Sequence, residues 1–61
     1  MTVVEEYRAA VQRIRPNARL KVRRDDDGYR MYRIMDGDEL IAEDGGIIAA
    51  WRHAEYVLLN P

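Results

Sequence analysis

The chain has no cysteine, no serine and no phenylalanine, and only one residue each of lysine, histidine, threonine and tryptophan. Without cysteine there is neither a disulfide nor a thiolate metal site to supplement a small core. Serine and cysteine, the commonest nucleophiles, are absent, and threonine and lysine occur once each, at Thr2 and Lys21. Thr2 has a structural role, given below. The lone histidine, His53, has no second histidine for a metal pair and no serine or cysteine to activate, so it is read as a surface or boundary residue. Long apolar runs are also missing. The longest, from Gly45 to Trp51, is far short of the roughly 20 residues of a membrane span. The N-terminal stretch carries Glu5 and Glu6 where a signal peptide would be basic and then apolar. We read a cytoplasmic protein with no membrane partner.

What is present is charge and a small apolar set. Sixty-one residues suit one small globular domain, residues 1 to 61, and a chain of this size buries only about 60 % of its unfolded surface. The net charge of −1 hides an asymmetry. Residues 1 to 24 hold seven basic and two acidic side chains, a balance of +5, and residues 25 to 61 hold three basic and nine acidic, a balance of −6. Such a split can mark a nucleic-acid surface, but two halves packed in one globule can also neutralise each other. Nine of the ten basic residues are arginine, which suits carboxylates and phosphates equally.

Thr2 and Glu5 form a T-x-x-E capping box, which predicts a helix from Val3, with each side chain satisfying the other residue's free backbone N–H. Val4, Tyr7, Ala10, Val11 and Ile14 then make one apolar stripe, and Pro16 stops the helix near Arg15. From Arg19 to Arg23 the period changes to two, with Leu20 and Val22 on one face and Arg19, Lys21 and Arg23 on the other. Asp25 to Gly28 supply a hairpin turn. A three-residue loop pairing Asp25 with Tyr29 sets Val22 opposite Tyr32 and Leu20 opposite Ile34, which gathers the apolar residues on one face. A second turn at Asp36-Gly37-Asp38 leads to a strand from Glu39 to Glu43, whose inward residues are either Leu40 and Ala42 or Ile41. Asp44 is the expected N-cap of a second helix, with Ile47, Ala50, Trp51, Ala54 and Leu58 on one face, closed near Leu59 by Asn60 and Pro61.

The predicted fold is α+β in the order α-β-β-β-α: a three-stranded antiparallel sheet with two helices packed on one face, that of Leu20, Val22, Tyr32 and Ile34. Double-stranded-RNA-binding domains share this order, but they present lysines at the start of the second helix. Here that helix opens Asp44-Gly45-Gly46-Ile47-Ile48, so the order alone carries no function and no family is assigned.

The same register sets Arg23 opposite Met31, Lys21 opposite Arg33 and Arg19 opposite Met35 on the open face. These six residues are the candidate interaction surface. Like charges opposed across strands cost stability unless carboxylates answer them, and Glu39 and Glu43 of the third strand are the expected answer. The acidic turns at Asp25 to Asp27 and at Asp36 to Glu39 match no calcium-loop spacing and are read as turn chemistry. No catalytic residue, cofactor site or metal site is assigned. The expected function is that of a non-enzymatic interaction module that binds another protein or a second copy of itself. Its dimer would join Arg19, Lys21 and Arg33 of one copy to Glu39 and Glu43 of the other. The alternative is nucleic-acid binding through the basic face.

Overall fold

A computed structural model of the chain describes residues 2 to 60, so Pro61, the last part of the expected helix stop, lies outside the described residues. The elements are α1 (Val3–Ile14), β1 (Ala18–Arg24), β2 (Arg30–Asp36), β3 (Glu39–Asp44) and α2 (Ile47–Leu59). The sheet is antiparallel in the order β1-β2-β3. The fold is therefore the expected α-β-β-β-α arrangement. Thr2 caps α1 by accepting the Glu5 N–H at 3.3 Å, but its hydroxyl donates to the Glu5 carboxylate at 3.0 Å, so the box closes side chain to side chain and not on the Thr2 N–H.

The β1–β2 register is the expected one, Leu20 with Ile34 and Val22 with Tyr32. Its loop explains why. The Asp25 N–H donates to Tyr29 O, the Gly28 N–H donates to Asp25 O, and Gly28 takes φ +85° with nothing near the place a side chain would occupy. Asp25 Oδ1 accepts the Asp27 and Tyr29 N–H groups, so this carboxylate holds the turn. In the second hairpin Gly37, at φ +61°, is the first of two loop residues between paired Asp36 and Glu39, the sign pattern that matches strand twist in tight hairpins.

Two expectations about packing are corrected. The third strand follows neither inward set: a bulge places Ala42 opposite Ile34 and Leu40 opposite Met35, so that Ile41 and Ala42 are both buried while Leu40 is 46 % exposed. Val22 was expected beneath the helices and is 56 % exposed. The reason is where the helices sit: α2 packs on β3 and β2 and α1 packs on α2, so neither extends over that end of β1.

The core is Val11, Ile34, Ile41, Trp51 and four alanines, Ala18, Ala42, Ala50 and Ala54. Small residues let α2 approach β3 closely, and Trp51 fills the remaining space. Asp44 does not cap α2. The N-cap is Gly46, which has no side chain to offer, while Asp44 Oδ1 takes the Gly45 N–H at 2.8 Å.

Candidate functional site

The open side of the sheet is built by β1 and β2 alone at first sight. Arg19, Lys21 and Arg23 stand directly opposite Met35, Arg33 and Met31, so all six candidate residues share one face. The three β1 cations are exposed, and the three β2 residues, on the central strand, are half-buried between their neighbours. Leu40, brought opposite Met35 by the bulge, extends the apolar part of the face to β3. Sequence reasoning missed Leu40, because a strict two-residue period cannot expose it together with a buried Ile41 and Ala42. The sign was the conflict itself, in which neither inward set was preferred.

The charges of this face are answered unequally. Arg33 Nε pairs with the Glu43 carboxylate beside it on β3. Arg19 folds back, donating to the carbonyls of Pro16 at 3.0 Å and Ala18 at 2.8 Å. Lys21 and Arg23 have no carboxylate partner among the described residues. Glu39, expected to help neutralise the face, points to the other side of the sheet.

There it meets Arg15. From the C-terminal end of α1 the Arg15 guanidinium donates to Asp36 at 3.0 Å and to both oxygens of Glu39 at 3.0 and 3.2 Å. The hydrogen bonds it donates, to Glu39 first and to Asp36 second, push its pKa above the ordinary arginine value, so the clamp holds a permanent cation. Its consequence for the open face is indirect. Glu39, paired with Asp36, lies on the helix side and is held there by Arg15, which leaves Glu43 as the β3 carboxylate of the open face.

Elsewhere the polar groupings are sparse. His53 Nδ1 lies 3.8 Å from Asp44 on the exposed flank of α2, near Arg52 and Tyr56. Among the described residues no three metal-ligating side chains come together, and no helix is long and apolar enough to cross a membrane. A groove of about 500 Å³ opens between α1, β1 and the start of α2, lined by Val4, Leu20, Ile47 and Trp51 and by the polar Arg8, Gln12 and the folded-back Arg19. No family model matches the chain, and neither a curated protein nor a solved structure matches it.

Proposed function

We propose that this protein is a non-catalytic interaction module that binds an acidic surface of another protein through the open face of its sheet. One observation carries the reading: Lys21 and Arg23 stand exposed on the open side of the sheet with no carboxylate partner among the described residues, while the β3 carboxylate on that side, Glu43, is engaged by Arg33. Met31, Met35 and Leu40 lie among them. Thioethers adapt to varied apolar contours, and uncompensated cations steer an anionic partner and orient it.

The excess of cations also favours a second reading, nucleic acid. Against it stands the tip of the β1–β2 hairpin, where Asp25, Asp26 and Asp27 would meet the phosphates of a duplex running along the strands. Affinity for random-sequence duplex is therefore expected to stay within the nonspecific range of roughly 10⁻⁴ to 10⁻⁶ M at physiological salt. The test is nuclease-treated capture from the cells that make the protein, with wild type beside a Lys21→Glu, Arg23→Glu variant. Protein retained by wild type and lost by the variant supports the reading. Capture that vanishes with nuclease, or submicromolar and steeply salt-dependent duplex binding, transfers the face to nucleic acid.

A further inference from the structure

We infer that the free edge of β1 accepts an extended acidic segment of the protein partner as a fourth strand, an inference that rests on reading the molecule as an interaction module. The first support is the backbone. β1 is a sheet edge, and the Asp25 N–H turned toward Tyr29 O sets the alternation along the strand. Arg23, Lys21 and Arg19 direct their peptide groups to β2, while Arg24, Val22, Leu20 and Ala18 direct theirs outward. Ala18 O confirms this phase, because Gln12 Nε2 reaches it from outside at 2.9 Å. Gln12 and Arg19 close the edge at Ala18. From Leu20 to Arg24 no proline or bulge interrupts it.

Side chains supply the second support. A strand added here would lay one row of residues on the helix side, against Leu20 and the largely exposed Val22, at the mouth of the groove that reaches Ile47 and Trp51. Its other row would lie beside Lys21 and Arg23, Arg19 being folded back onto Pro16 and Ala18. The complementary segment alternates apolar and acidic residues, because one row meets Leu20 and Val22 and the other meets Lys21 and Arg23. The third support is exclusion of the nearest competitors. Antiparallel pairing with β1 of a second copy would set Arg19, Lys21 and Arg23 against their equivalents. The outer strand β3 is interrupted by its bulge at Ile41.

The experiment uses the whole chain and a capped heptapeptide alternating glutamate and valine. Two further versions are N-methylated, one at every glutamate and one at every valine, so that each blocks one edge of the peptide. Strand addition requires one methylated version to lose about tenfold or more in affinity while the other binds like the parent. It also requires the amide hydrogens of Leu20, Val22 and Arg24 to exchange more slowly on binding. Val22→Pro, which removes an outward donor and no bond to β2, should abolish the effect in a folded variant. Equal binding by all three peptides, no binding, or no protection at those amides overturns the inference. If the peptide instead perturbs Met31, Arg33 and Met35, the open-face reading survives without strand addition. If strand addition holds while Lys21→Glu, Arg23→Glu leaves partner capture unchanged, the open-face reading fails and the edge remains.

Discussion

Lys21 and Arg33 face each other across β1 and β2, and only Arg33 has a carboxylate beside it, that of Glu43. Like charges at directly opposed positions on a sheet are destabilising, so this pair works against the fold in the isolated protein. A position that costs stability and lies at the centre of an exposed cationic face is where binding and stability are expected to diverge. Lys21→Glu should raise stability by about 0.2 to 1 kcal/mol, because Arg33 would then lie between two carboxylates. The same change should reduce partner capture. Chemical denaturation and capture performed on one preparation check both halves. A variant that loses stability, or that gains it and still captures its partner, contradicts the argument.

The second prediction concerns Trp51, which is 3 % exposed in a core where half of the buried residues are alanine. With so few large side chains, no neighbour can close the void left by Trp51→Ala. The cost should be about 3 to 5 kcal/mol. A domain of this size commonly has no more than the lower part of the roughly 5 to 15 kcal/mol available to folded proteins, so the variant is expected to melt near or below room temperature. Trp51→Phe should retain a cooperative transition. Thermal melts that superimpose for Trp51→Ala and wild type would mean that α2 does not seal the sheet.

Much of this architecture was legible because local rules agreed with one another. The hairpin loop from Asp25 to Tyr29 and the two-residue period of Leu20 and Val22 select a single register, and the structure has it. Where the reading failed, the information was not local. The bulge at Ile41 is settled by the fit of β3 beneath α2, which no period within Glu39–Asp44 encodes. The exposure of Val22 follows from α1 docking on α2 rather than on β1, a choice between two apolar surfaces that the stripe of α1 does not make. The candidate face was found residue by residue, yet its charge balance was not. That balance depends on the bulge at Ile41, which pairs Glu39 with Asp36 on the helix side, where Arg15 meets both.

The start of α2 gives a third prediction. Gly46 is the N-cap, extended at φ −139° and ψ 154°, with no side-chain bond to the helix, and the first turn of α2 contains no acid. A side chain there would meet only Ala49 Cβ, at an ordinary 3.9 Å. Gly46→Asp should therefore supply the missing acceptor and a charge suited to the helix N-terminus, raising stability by a few tenths of a kcal/mol. Denaturant midpoints check this. An unchanged or lower midpoint would show that the exposed N–H groups of α2 are already well satisfied by water.

The last prediction is the oligomeric state. The two-fold dimer expected from the sequence needs Glu39 and Glu43 of one copy to receive Arg19, Lys21 and Arg33 of the other. Glu39 lies instead on the helix side under Arg15, and Glu43 is engaged by Arg33 of its own sheet. Two such faces brought together about a two-fold axis would oppose the unpaired Lys21 and Arg23 of each copy, with Glu43 already engaged by Arg33 on each side. Apolar contact among Met31, Met35 and Leu40 must then work against that repulsion. The protein should sediment as a monomer at about 100 μM, a concentration at which a modest interface becomes visible. Salt separates the two terms. At about 1 M salt the screening length falls to roughly 3 Å, the repulsion is largely removed, and any association that appears should depend on the methionines. Met35→Lys should abolish it, and Ile41→Val, a change in the core, should not. A dimer already present at low salt, insensitive to Met35→Lys, would mean that copies meet elsewhere and that the open face has no part in self-association.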